Sequence, residues 1–249
     1  IDLTTVVNQG PRDASRTPPT LLMLPPDRLA AQRAGGTWSE MFDADGLLNR
    51  VQPLGVAVWW LAVLLMGWAA FPLTYLVFNG LPDRGYPLAK SVALLVVAWL
   101  VWLLGSYQLL PFTRLTIALG FAALAAVSAV IVWLRRAEFG DYLRSHSRYI
   151  LVVEGVTLAL FALDLLIRFG NPDLWHPNFG GEKPMDFSYF NAVLKSASFP
   201  PYDPWLAGGY INYYYYGFVI VGLLVKLLGI VPAFAYNLIL PTLFALLGI

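Results

Sequence analysis

The apolar residues of this chain fall in long runs that its charges avoid. Leu54–Phe78, Ser91–Phe112, Leu115–Leu134 and Leu227–Ile249 contain no Asp, Glu, Lys or Arg. About 20 apolar residues cross a bilayer core as a helix. In hydrocarbon every backbone polar group must be bonded internally, which leaves helix as the state of such runs. The pattern predicts an all-α polytopic membrane bundle of about six transmembrane helices: Leu54–Phe78, Leu88–Leu110, Phe112–Leu134, Tyr149–Phe169, Tyr213–Leu228 and Pro232–Ile249. Within Gly170–Asn212, the stretch 185–198 repeats Phe187, Phe190 and Leu194 at helical spacing, which predicts a short amphipathic helix lying on the membrane surface.

Composition agrees with this pattern. Charged residues make up 12% of the 249 residues and apolar residues 58%, whereas a soluble domain carries about 25% charged residues. That excludes a soluble enzyme and a disordered tail. The net charge of +1 excludes a nucleic-acid binder, which needs a basic excess. With no cysteine, disulfides and thiolate metal sites are excluded.

Loop basicity sets the orientation. Residues 135–148 hold four arginines and form the expected cytoplasmic loop. Alternation then puts 79–87 inside, and the turn near Pro111, the loop 170–212 and residues 1–53 outside. The expected organisation is an extramembrane segment over 1–53, three transmembrane helices over 54–134, the basic loop, and a second module over 149–249. The chain begins at Ile1 and its last helix has no polar flank, so part of a longer membrane protein is expected.

Tyr149–Phe169 is the one full span with charges well inside it: Glu154, Asp164 and Arg168. At 100° per residue Arg168 lies about 40° and Asp164 about 80° from Glu154, so all three share a face. Asp164 and Arg168 stand at i,i+4, the spacing of an intrahelical pair. Such charges face a bundle interior or a wet cavity. The reading adopted here is structural, with Glu154 meeting a polar group near the cytoplasmic end.

The external loop is dense in aromatics, from Trp175 to Tyr210, and six charged residues are interleaved with them. Asp186 at the start of the amphipathic helix is either a first-turn carboxylate favoured by the helix dipole or a base at the membrane–water boundary. Glu182 and Lys183 beside Gly180-Gly181 are either a satisfied turn pair or contacts for a phosphate, with a divalent cation possible. His176 alone is no metal site. Tyr213, Tyr214, Tyr215 and Tyr216 form either an aromatic belt or a platform for a sugar or lipid phosphate.

LPDRGYPLAKSVALL (81–95) and WHPNFGGEKPMDFSYFNAVLKSASFPPYDPWLAGGYINYYYYG (175–217) resemble the uncharacterised YYY-motif membrane proteins of Chloroflexi and archaea, over most of residues 40–249. The layout of that family is similar to GT-C glycosyltransferases, which use polyprenyl-phosphate sugars at the outer membrane face. By that resemblance Tyr149–Phe169 is the first core helix and Asp186 the catalytic carboxylate. Glu182, Lys183, His176 and the four tyrosines become donor- or phosphate-binding candidates. Phe187 stands where many GT-C members carry a second acid, which favours a base-only mechanism over a two-carboxylate metal site. The implied partners are the bilayer, a lipid-linked sugar and the rest of a longer chain, in a prokaryotic cytoplasmic membrane. A lipid or glycan transporter and a non-catalytic scaffold are the competing expectations.

Overall fold

The computed structural model describes residues 26–174, 181–206 and 209–249. Three short helices come first: α1 (Pro26–Ala34), α2 (Trp38–Met41) and α3 (Leu47–Arg50). The long helices follow as α4 (Gln52–Val77), α5 (Ala89–Ser106) and α6 (Arg114–Leu134). Next come α7 (Arg136–Ser145), α8 (Ser147–Gly170), α9 (Lys183–Lys195), α10 (Tyr215–Leu228) and α11 (Pro232–Gly248). The described elements are helices, joined by one isolated antiparallel bridge between Tyr202 and Tyr210. The protein is a polytopic helical membrane protein. α4, α5, α6 and α8 are long and apolar enough to cross a bilayer, while α10 and α11 are shorter apolar helices.

Local chemistry explains the boundaries. The Thr113 hydroxyl accepts from the Thr116 N–H and caps α6, satisfying one of the free donors at a helix start. Gly229 closes α10 in the left-handed conformation, φ 68°, and Pro232 opens α11. One expectation changes here. The basic segment 135–148 is largely the helix α7, with Phe139 and Tyr142 buried, because its aromatics recur at helical spacing. Within the expected extramembrane segment 1–53, the described residues from Pro26 on hold the short helices α1, α2 and α3.

The bundle has two distinct ends. At one, Tyr142 and Tyr149 of the α7–α8 region donate to the carbonyl and carboxylate of Asp83, at 2.8 and 3.2 Å. Phe71, Tyr75, Tyr86, Phe139 and Tyr142 pack there as one aromatic cluster. At the other end meet α2, α3, the turn 107–113, α9 and the stretches 196–206 and 209–214.

α10 begins and finishes at this second end. In its first turn Tyr215 accepts from Trp102 Nε1, one turn before the end of α5, at 2.9 Å. In its last turn Lys226 donates to the carbonyls of Phe112 and Ser196. Asn49 then bonds the Gly229 carbonyl at 3.1 Å and accepts from the Val231 N–H at 2.9 Å. Fourteen residues make a helix about 21 Å long, short of the roughly 30 Å core. The expectation that Tyr213–Leu228 crosses the membrane is therefore corrected: α10 lies across the ends of α4, α5 and α6. α11 starts at the same end and runs antiparallel beside α8. Its Asn237 meets Arg168, and Ile249 reaches the opposite aromatic cluster.

Candidate functional site

The site is assembled where α9 docks on α10. α9 is held by its apolar face, with Phe190, Val193 and Leu194 buried. Phe190 meets the rings of Phe218 and Tyr236 at 6.2 and 5.9 Å. That seat leaves the first turn of α9, carrying Asp186, beside the tyrosine run.

The Tyr214 hydroxyl donates to Asp186 Oδ1 at a long 3.4 Å. The Asp186 N–H closes the first turn on the Glu182 carbonyl. Burial raises the Asp186 carboxyl above its usual range, the Tyr214 hydrogen bond opposes the rise, and the neighbouring Glu182 charge adds to it. The net direction is upward, toward a better proton acceptor at neutral pH. Tyr214 takes φ 28° where the chain turns into α10, a conformation that residues other than glycine rarely adopt.

Tyr214 also lines an open groove of about 440 Å³, together with Trp99, Trp102, Asn212, Tyr215 and Tyr216. Trp102 fixes two of these tyrosines. Its indole N–H bonds Tyr215, and its ring stands edge-on to Tyr216 at 5.5 Å. Tyr213 is 68% exposed and packs against Tyr214 at 4.3 Å. Aromatic faces with a few amide and hydroxyl groups suit the apolar faces and hydroxyls of a sugar ring. Asp186 is not in the groove lining and reaches it through Tyr214.

The other loop candidates separate. Glu182 is exposed one turn before Asp186. The Lys183 ammonium turns away to the Asp173 carbonyl at 3.3 Å. His176 lies outside the described residues. Among the described residues no group of three His, Asp or Glu comes together to hold a metal.

Two of the charges of α8, Glu154 and Arg168, bond side chains outside their own helix. Glu154 Oε1 accepts from Lys90 Nζ at 2.5 Å and Tyr86 OH at 2.6 Å, so it does meet a polar group at the α7 end. Arg168 does not pair with Asp164. Its guanidinium donates twice to Asn237 Oδ1, at 2.8 and 2.5 Å, because α11 offers a planar acceptor beside the last turn of α8. Sequence reasoning missed Lys90 and Tyr86 as the partners of Glu154, and Trp99 and Trp102 as walls of the groove. A lone lysine at the start of an apolar helix was the available signal for the first. Nothing in the sequence marked the tryptophans among so many aromatics.

The defining sequence pattern of an uncharacterized membrane protein family, DUF2298, matches residues 96–249. Comparison with curated proteins and with solved structures returned no match. The matched stretch takes in most of α5 and everything from α6 to α11, including Asp186 and the four tyrosines. The chain belongs to this family.

Proposed function

We propose that this member of the DUF2298 membrane protein family is a glycosyltransferase module that takes a sugar from a polyprenyl-phosphate carrier at the outer membrane face. The observation that carries the reading is the contact between Asp186, a carboxylate with raised proton affinity, and Tyr214 on the rim of an aromatic groove. In this scheme Asp186 removes the proton of an acceptor hydroxyl. The freed oxygen bonds to the anomeric carbon as the carbon–oxygen bond to phosphate breaks, and polyprenyl phosphate leaves with that electron pair. Tyr214 orients the carboxylate, and Trp102 fixes the tyrosines against which the sugar stacks. The gain comes from positioning and from the tuned base.

The test is Asp186→Asn in the intact chain, assayed for transfer from a polyprenyl-phosphate sugar. The expected loss is about 10²- to 10⁴-fold in kcat, with detergent-state melting no lower than that of the wild type. Undiminished transfer by a folded variant rejects Asp186 as the base. A non-catalytic scaffold is the second reading, favoured by the Lys183 ammonium, which is satisfied by the Asp173 carbonyl instead of facing the groove. It requires that neither wild type nor variant transfers sugar.

A further inference from the structure

A second cavity, of about 420 Å³, lies where the segment after α1 meets the start of α6 and the end of α10. Its walls include Gly35, Gly36, Glu40, Thr113, Arg114 and Lys226. Lys226 is only 3% exposed. Its ammonium is held by the carbonyls of Phe112 and Ser196 and sits 4.1 Å from the centroid of the Phe112 ring. None of those groups carries a formal negative charge. Arg114 spends its Nε on the Lys226 carbonyl at 3.2 Å and an Nη2 N–H on the Met41 carbonyl at 3.3 Å, out of five donors.

The carboxylate in this lining is Glu40, at the exposed rim. Its Oε2 is taken by the Thr37 N–H at 2.6 Å in a capping box. Among the described residues the ion pairs are Lys90–Glu154, Arg135–Glu138 and Arg144–Asp141, so neither Lys226 nor Arg114 has an anionic partner there. α6 also begins at this wall, and the first N–H groups of a 21-residue helix point positive potential at it. A buried cation without an anion is costly, and burial, with the Lys195 charge adding to it, pulls the pKa of the Lys226 ammonium down to about 7. A ligand bringing negative charge would remove that cost.

We propose that this cavity binds a phosphate group, held by Lys226 and Arg114 over the start of α6. The site is separate from the aromatic groove and does not depend on transfer chemistry at Asp186. The phosphate belongs to a phospholipid headgroup or to a free anion, and the experiment separates the two. The intact chain is purified in a zwitterionic detergent and melted, with tryptophan fluorescence as the readout. The additions are inorganic phosphate against chloride at matched ionic strength, and phosphatidylglycerol against phosphatidylcholine. The expected result is a rise of several degrees with phosphatidylglycerol, with inorganic phosphate, or with both, and its loss in Arg114→Gln and Lys226→Met. A rise with phosphatidylglycerol alone assigns a headgroup; a rise with inorganic phosphate shows that the free anion suffices. No rise with either probe, or an equal rise in both variants, overturns the proposal. Should Lys226→Met not fold, native mass spectrometry of wild type and Arg114→Gln decides. Loss of retained phosphatidylglycerol or phosphate in the variant supports the site, and equal retention rejects it.

Discussion

Replacing Lys90 by Met gives the sharpest stability test of the bundle. Lys90 opens α5, and its side chain is 4% exposed, while that of Glu154 on α8 is 19% exposed. Their 2.5 Å contact joins helices that are far apart in sequence, and Tyr86 is the other donor to the same oxygen. Glu154 Oε2 is buried without a hydrogen-bond partner, so the carboxylate depends on Oε1. Removing one partner of a buried pair costs about 3–5 kcal/mol, whereas replacing both is near neutral or stabilising. The residual exposure of Glu154 points to the lower edge, about 3 kcal/mol for Lys90→Met. Lys90→Met with Glu154→Gln should recover most of that. The assay is reversible unfolding in mixed dodecylmaltoside–SDS micelles, run as a double-mutant cycle. Purely additive single and double effects would refute the reasoning that the two charges depend on each other.

Four further outcomes follow from the geometry. A Cβ at Gly67 would stand 2.6 Å from Lys90 Cγ, mid-way along a confined side chain, so Gly67→Ala should lower stability by about 1–3 kcal/mol in the same unfolding assay. Trp59→Phe should cost about 1 kcal/mol through loss of the buried 2.9 Å bond from its indole N–H to Thr242 Oγ1, read by the same method. Because the chain has no native cysteine, Asn212→Cys and Ala233→Cys can be labelled with an impermeant maleimide. Both should react from the same side and Ser145→Cys from the other, whereas a crossing α10 would put 212 and 233 on opposite sides. The Asp186 carboxyl is raised from 3.8 on folding, so the folded state holds its proton over a window beginning near that value. Stability should fall as pH rises through that window, and Asp186→Asn should flatten that part of the stability–pH curve.

The long helices were legible because charge avoidance over 20 residues has one physical solution in lipid. The amphipathic helix was legible from Phe187, Phe190 and Leu194, although its apolar face seats on α10, with Phe190 against Phe218. The path of α10 was not legible. Its sequence is as apolar as a span, and only the tertiary bonds of Tyr215, Lys226 and Asn49 return both its ends to one side. The i,i+4 spacing of Asp164 and Arg168 predicts a pair that the structure does not form, because spacing cannot reveal that Asn237 competes for the same guanidinium. For the site, the neighbourhood of Asp186 and the tyrosines was readable from one loop. The Trp99–Trp102 wall comes from a helix more than a hundred residues earlier, which one-dimensional pattern does not connect.

The most direct test follows radiolabelled sugar on a polyprenyl-phosphate carrier supplied to the intact chain in proteoliposomes with a mixed acceptor pool. The account predicts that label leaves the carrier, appears on an acceptor, and is matched by free polyprenyl phosphate, with Asp186→Asn nearly silent. Label that stays on the carrier, or crosses to the other leaflet still attached to it, would contradict the account.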